Sequence, residues 1–123
     1  MKRNVSILLK DILENIQLAE NFVREIDFKT FCADKKLQYA AIRCLEIIGE
    51  AAKNIPSEIK ESNNDIPWKD MSGMRDKLIH SYFGIDLQVI WITIKEDLPT
   101  IKLPIKNIYD ELLSGDNLNL FVP

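Results

Sequence analysis

Residues 74–82 read MRDKLIHSY, and this stretch holds an arginine, the chain's single histidine and a tyrosine. Arg75 offers a planar fork of donors that fits a phosphate and stays charged. The imidazole of His80, with an ordinary pKa of about 6.5, can accept a proton at neutral pH. This pair suits metal-free RNA cleavage, in which His80 deprotonates a ribose 2′-hydroxyl and Arg75 stabilises charge on the scissile phosphate. A lone histidine leaves the general acid unassigned.

The spacing within this stretch limits which side chains meet, because a helix turns by about 100° per residue. Arg75 and Tyr82 share a face to within about 20°, whereas Arg75 and His80 are separated by roughly 140°. The helix could break near Arg75, the long arginine side chain could reach round, or a second copy could complete the site across a symmetric dimer. Asp76 lies beside Arg75 and four residues before His80, so its carboxylate could reduce the attraction of Arg75 for phosphate or, alternatively, orient the His80 ring through a hydrogen bond.

The same residues also have a purely structural interpretation. A histidine near a helix C-terminus interacts favourably with the helix dipole. Arg75 would then pair with a carboxylate, and Tyr82 would be a half-buried core aromatic. Three fixed positions, R-x4-H-x-Y, do not decide between the two interpretations.

Two long amphipathic helices are predicted before this stretch. Apolar residues recur at spacings of three and four over residues 5–26 and again over residues 34–54, a pattern typical of helices with one buried face. The segment DFKTFCADK between them supplies two aromatic side chains that we expect to plug one end of a bundle. Pro56 suits the first turn of a short helix, PSEIKES.

Helices also dominate the second half of the chain. We predict one from about Ser72 to near Gly84, and another after Asp86, which serves as its N-cap. Pro99 and Pro104 are expected to bend or interrupt the chain beyond that helix, before a last helical segment, IKNIYDELL, and a weakly patterned tail. Because no stretch alternates as a strand does, the predicted fold is an all-α bundle of four to five helices.

Composition limits the class of protein. The 123 residues suffice for one domain. A formal net charge of −3 argues against a polycation that coats nucleic acid, so any RNA site must be a local basic pocket. Cys32 and Cys44 cannot form a metal site with only one histidine, and we expect free thiols, no metal and no cofactor. With no signal peptide or membrane span in the pattern, we expect a cytoplasmic protein.

Longer runs of sequence carry a family resemblance. The runs are AAIRCLEIIGEAAKNIP at 40–56, IPWKDMSGMRDKLIHSYFGID at 66–86 and VIWITIKEDLP at 89–99. Together they resemble the HepT-type toxins of the HEPN superfamily, which form HepT/MntA toxin–antitoxin pairs. The match extends in order from Val5 to about Leu113.

The resemblance implies both a site and its regulation. The fold would be a HEPN-like bundle (residues 1–114, with a tail at 115–123) that forms a homodimer with the motif in a cleft at the interface. Arg75 and His80 fall on the catalytic pair of a metal-independent ribonuclease of a type VII-like toxin–antitoxin pair. Tyr82 falls on the tyrosine that an MntA-like minimal nucleotidyltransferase antitoxin modifies with AMP, which would block RNA and place a negative phosphate beside Arg75. The alternative is a non-catalytic HEPN module that binds nucleotide or this partner.

A polar ridge on the second predicted helix is the other candidate feature. Arg43, Glu46, Glu50 and Lys53 follow one another at spacings of three and four. They could be a solvated face with i,i+4 pairs, each contributing a few tenths of a kcal/mol. Alternatively, Arg43 and Glu46 line the cleft opposite the motif and help to hold RNA or order the catalytic residues. Gly49 is expected to let two helices approach closely.

Overall fold

The computed structural model describes residues 2–79 and 86–121, with side chains for 5–78 and 86–115. Within these ranges the chain is helical and contains no strand. The helices are α1 (Lys2–Val23), α2 (Phe28–Cys32), α3 (Lys35–Lys53), α4 (Ser57–Ser62), α5 (Trp68–Ile79), α6 (Leu87–Ile92) and α7 (Leu98–Phe121), with a π-helical turn (Thr93–Asp97) between the last two. The predicted all-α bundle is confirmed.

The two long amphipathic helices form the centre of the bundle. α3 packs against α1 on one side and α5 on the other, and α7 covers another face of α1. Their periodic apolar residues are the buried ones, with Leu9, Ile16 and Ile48 fully shielded from solvent. α1 ends at Val23, three residues earlier than the pattern predicts. Burial of such stripes, at about 25 cal/mol per Å² of apolar surface, is what drives these helices together.

The connection between α1 and α3 plugs the bundle end as predicted. Asp27 caps α2, because its Oδ1 accepts a hydrogen bond of 2.8 Å from the Thr30 backbone N–H. Phe31 is fully buried, and its ring centroid lies 5.5 Å from that of Trp91. Phe28 contacts the same indole at 5.7 Å. These tilted aromatic contacts join α2 to α6.

α5 begins at Trp68, four residues before the predicted start near Ser72, so that prediction is wrong. The Met71 N–H donates to the Pro67 carbonyl oxygen at 3.0 Å and closes the first turn. The buried Trp68 indole Nε1 donates to the Asn63 carbonyl oxygen at 3.0 Å. This anchor connects the helix start to the preceding loop, which periodicity alone does not reveal. The predicted end near Gly84 lies outside the described residues.

The region around the two late prolines also departs from prediction. Asp86 caps α6 as expected, accepting from the Gln88 and Val89 N–H groups at 3.0 and 3.3 Å. Pro99, however, does not interrupt the helix. The Leu98 N–H bonds to the Thr93 carbonyl, five residues back, so one wide turn precedes the proline, which has no N–H to donate. Pro104 lies inside α7, where the helix continues through it.

Polar side chains tie α7 to α1. The Lys102 Nζ donates to Gln17 Oε1 at 2.9 Å and to Glu20 Oε1 at 2.8 Å. α7 then runs past residue 114 to Phe121, and the division into a domain and a tail stays a prediction. No helix among the described residues combines the length and apolar character needed to cross a bilayer.

Candidate active site

A cleft of about 260 Å³ lies where α1, α3 and α5 meet. Its walls comprise Leu8 and Asp11 of α1, a run of α3 side chains with the following Asn54, and Arg75 of α5. The α3 residues are Arg43, Glu46, Ile47, Glu50 and Ala51. The structure thus brings together three residues that the sequence singled out, Arg43, Glu46 and Arg75.

Gly49 seats α5 directly against α3 beneath this cleft. A Cβ at Gly49 would lie 2.9 Å from the Met71 carbonyl oxygen, 3.4 Å from the Arg75 backbone nitrogen and 3.5 Å from its Cβ. Real Cβ atoms essentially never approach another atom that closely, so only glycine permits this spacing. The predicted close approach of two helices at Gly49 is confirmed, and it fixes the backbone of Arg75 at the cleft wall.

The Arg75 guanidinium is loosely held at the cleft. Its Nη1 lies 3.6 Å from Glu50 Oε2, and the two side chains are 45% and 53% exposed. An ion pair this open to water contributes about 0–1 kcal/mol. A phosphate can accept two charge-assisted hydrogen bonds from the same fork. Arg75 can therefore exchange its carboxylate partner for a phosphate at small cost.

Arg43 is still more accessible than Arg75. Its side chain is 71% exposed, and its Nη1 lies 4.0 Å from Glu46 Oε1 on the same helix. Counting the lining residues, the described part of the cleft holds two guanidiniums against the carboxylates of Asp11, Glu46 and Glu50. The three carboxylates thus outnumber the two cations, and the pairs that Glu46 and Glu50 form with them are weak.

Not every predicted residue joins the cleft. Asp76 is exposed on α5 and does not line it. His80 and Tyr82 lie outside the described residues, so their predicted roles, and that of Asp76 toward His80, stay predictions. α5 continues unbroken through Arg75 to Ile79. Of the three arrangements that could unite Arg75 with His80, a helix break near Arg75 is therefore ruled out.

Three lining residues carry polar groups that the sequence did not assign to the site. Glu50 belongs to the polar ridge of α3, so its spacing placed it on the same face as Arg43 and Glu46. Asn54, the C-cap residue of α3, follows Glu50 by four residues and so continues the same face. Asp11 had no such signal, because it comes from α1, and the packing of α1 on α3 is set by the tertiary fold. The described residues contain no group of three or more His, Cys, Asp or Glu side chains that could hold a metal ion.

A second cavity, of about 350 Å³, lies on another face of α5, against α6, the π-helical turn and α7. Its walls include the apolar side chains of Leu45, Met71, Met74, Ile90 and Ile101. It does not include Arg75, Arg43 or Glu46. Arg75 therefore belongs to the first cleft and not to this cavity.

The family model and the similar proteins described below all indicate the same family. The family model described as Ribonuclease HepT-like matches residues 12–108. The protein named "Probable ribonuclease HepT" of Thermococcus cleftensis is 57% identical over 102 residues, 83% of this chain and 93% of that protein. A candidate RNase of Methanocaldococcus jannaschii is 45% identical over 90% of this chain and 96% of its own length.

A candidate RNase of Caldanaerobacter subterraneus is 44% identical over 81% of this chain and 89% of its own length. No solved structure matches the chain. The matched segment contains α3, α5 and the whole R-x4-H-x-Y stretch, and the resemblance identified from the sequence is confirmed. The chain belongs to the HepT-like family of ribonucleases.

Proposed function

We propose that the chain is a metal-independent RNA endonuclease that acts as the toxin of a type VII-like toxin–antitoxin pair in the cytoplasm. The observation that carries the proposal is the position of Arg75. Its guanidinium is exposed at a cleft and held only loosely by Glu50, and the close approach at Gly49 sets the position of the Arg75 backbone. Membership in a ribonuclease family supports RNA as the source of the phosphate that Arg75 would bind.

In the proposed reaction, His80 takes the proton from a ribose 2′-hydroxyl. The resulting oxygen attacks the adjacent phosphorus, the bond to the 5′-oxygen of the next nucleotide breaks, and a 2′,3′-cyclic phosphate forms. Arg75 leaves Glu50 and stabilises the negative charge that builds on the phosphate oxygens. The departing 5′-oxygen takes a proton from a second His80 or from water.

We propose further that the active unit is a homodimer. α5 is unbroken through Arg75 to Ile79, and residues five apart on one helix point roughly 140° apart, so helical spacing alone does not bring Arg75 and His80 of one chain together. A symmetric partner resolves this mismatch, since Arg75 of one copy can meet His80 of the other. The remaining single-chain alternative is an arginine side chain that reaches round its own helix.

The proposed regulation acts on Tyr82. An MntA-like nucleotidyltransferase would transfer AMP from ATP to the Tyr82 hydroxyl, releasing pyrophosphate. A negative phosphodiester on this tyrosine would compete with RNA for Arg75 and fill the space of the substrate. In this proposal, intact-mass analysis after treatment with such an enzyme and ATP shows additions of whole AMP groups, and Tyr82→Phe shows none.

Cleavage of RNA in the presence of EDTA tests the catalytic proposal. Unmodified wild-type protein should cleave, and His80→Ala should abolish cleavage while circular dichroism shows unchanged helicity. Loss of wild-type cleavage on adding the chelator would refute the metal-independent mechanism. Full activity of His80→Ala would refute the role of the histidine.

One observation favours a second candidate, a non-catalytic module that binds nucleotide or the nucleotidyltransferase. The described cleft lining carries three carboxylates against two guanidiniums, and such a net charge disfavours a long polyanion such as RNA. Under this alternative, Arg75→Ala weakens ATP binding, measured by calorimetry, and the wild type has no RNA turnover to lose. RNA cleavage by the wild type separates the two candidates.

A further inference from the structure

The solvent face of α3 continues beyond the cleft toward the start of the helix. Lys35, Tyr39 and Arg43 follow one another at intervals of four residues, so they occupy successive turns of one face. All three are exposed, and Arg43 also lines the cleft. We call these three residues the α3 stripe.

Tyr39 has no structural task within the described part of the chain. It is 67% exposed, and the ring contacts found there involve Phe28, Phe31 and Trp91 instead. Its hydroxyl has no hydrogen-bond partner among the described residues. A large aromatic ring left in solvent contributes little to folding, so the ring of Tyr39, which lies between two cations, is available to stack on a ligand.

The charge of the α3 stripe differs from that of the cleft. Lys35 forms no ion pair among the described residues, and Arg43 pairs with Glu46 only at 4.0 Å. The neighbouring acid, Asp34, already accepts a hydrogen bond of 3.0 Å from the Leu37 N–H as the α3 N-cap. The stripe therefore presents basic, aromatic and basic side chains in turn, without a closely paired carboxylate.

Alternating cations and exposed rings match the chemistry of single-stranded RNA, whose bases stack on aromatic side chains while its phosphates pair with Lys and Arg. We propose that the α3 stripe is an extended binding site for single-stranded RNA, with Tyr39 stacking on a base. The inference rests on the proposed function and adds the substrate form to it.

Helix geometry places Tyr39 relative to the scissile phosphate. A rise of 1.5 Å per residue puts it about 6 Å along the axis from Arg43 and about 16 Å from Glu50, the partner of Arg75. The stacked base thus belongs to a nucleotide outside the one that is cleaved. RNA that is fully base-paired cannot offer such a base, so single strands are the preferred substrate.

Binding of a fluorescein-labelled single-stranded oligoadenylate, measured by anisotropy, tests the proposal. The measurement uses the full chain carrying His80→Ala, so that the probe stays intact. Tyr39→Ala should weaken binding between about fivefold and a hundredfold, the effect of losing one base–aromatic stack. Tyr39→Phe should restore it, because the ring does the stacking. Leu103→Ala, which truncates a side chain on α7 that is 64% exposed, controls for loss of surface apolar area.

An oligoadenylate with abasic nucleotides supplies the complementary test. It should bind the protein with Tyr39 and the Tyr39→Ala variant equally, since no base remains to stack. Lys35→Ala should instead weaken both probes alike and lower the salt dependence of binding by about one counterion.

Equal affinities of Tyr39→Ala and Tyr39→Phe for the oligoadenylate would overturn the inference. So would a Tyr39→Ala variant with normal RNA affinity but weaker self-association, since the ring would then serve a protein contact. Failure of the proposed function has a different signature, namely wild-type protein that binds the probe through Tyr39 yet cleaves no RNA.

Discussion

Replacement of Gly49 by alanine tests the contact that places Arg75 in the cleft. The added Cβ would lie 2.9 Å from the Met71 carbonyl oxygen, where ordinary contact begins at 3.4 Å. That oxygen belongs to the backbone of α5 and cannot rotate away. The two helices must therefore separate by about 0.5 Å, the difference between these distances. Arg75 moves with its helix, away from Glu50.

The size of the effect depends on two opposing terms. Forcing a methyl group into a packed contact costs about 1–3 kcal/mol, whereas alanine has a helix propensity about 1 kcal/mol better than glycine. Gly73 of α5 provides the matched control, because a Cβ there meets no atom within 4 Å. Gly73→Ala gains the propensity without the clash. The two variants should thus differ by about 1–3 kcal/mol, or roughly 3–15 °C in melting temperature.

Thermal unfolding followed by circular dichroism measures this difference, and RNA cleavage at a temperature where both variants are folded measures its consequence. Gly49→Ala should cleave up to about a hundredfold more slowly than Gly73→Ala, because displacement of a catalytic group by a fraction of an ångström to 1 Å is enough for such a loss. A Gly49→Ala protein that melts at or above the temperature of Gly73→Ala would refute the close approach of α3 and α5.

Three further predictions concern the scaffold. Lys102→Met should lower the free energy of unfolding in urea by about 1–3 kcal/mol, because it removes two interhelical hydrogen bonds. The control Lys106→Met removes only an exposed i,i+4 pair and should change that free energy by about 0.5 kcal/mol or less. Equal effects of the two variants would contradict the role of the α1–α7 contact. In native protein a thiol reagent should label exposed Cys32 and spare Cys44, whose burial raises the pKa of its thiol; rapid labelling of both would contradict this. Hydrogen bonds from Thr30, first its side chain and then its backbone N–H, lower the pKa of Asp27 below the ordinary 3.8. The cap therefore stabilises the folded state fully above pH 3.8 and loses this effect as the pH falls further. The melting temperature of Asp27→Ala, which is lower than that of the wild type at neutral pH, should approach the wild-type value below pH 3.8.

The helices were largely predictable because their cause is local. Apolar residues recur at spacings of three and four in α1 and α3 because each helix buries one face. Aspartate N-caps are recognisable because the side chain accepts a hydrogen bond from an N–H group at the start of the helix. The early start of α5 was not predictable in this way, since it depends on the Trp68 indole reaching the Asn63 carbonyl. The passage of the chain through Pro99 depends on a π-helical turn that no spacing signals.

In the candidate site, too, the features with a local cause were predictable and those that depend on packing between distant elements were not. Sequence placed Arg43, Glu46 and Glu50 on one helical face, and it pointed to Gly49 as a place of close helix contact. Which helix would meet that face, and that Arg75 would lie 3.6 Å from Glu50, are set by packing between elements distant in the chain. The roles of the motif residues came from family resemblance, because spacing alone left the structural interpretation open.

The most direct test of the central claim is the single-turnover rate of RNA cleavage by Arg75→Ala. If the guanidinium binds the scissile phosphate, the rate falls by about a hundredfold or more, while loss of its exposed ion pair changes stability by about 1 kcal/mol or less. Lys106→Ala, which removes an exposed cation on α7, should keep the wild-type rate. An Arg75→Ala protein that cleaves RNA as fast as the wild type would show that Arg75 serves only to pair with a carboxylate, and the proposed mechanism would be wrong.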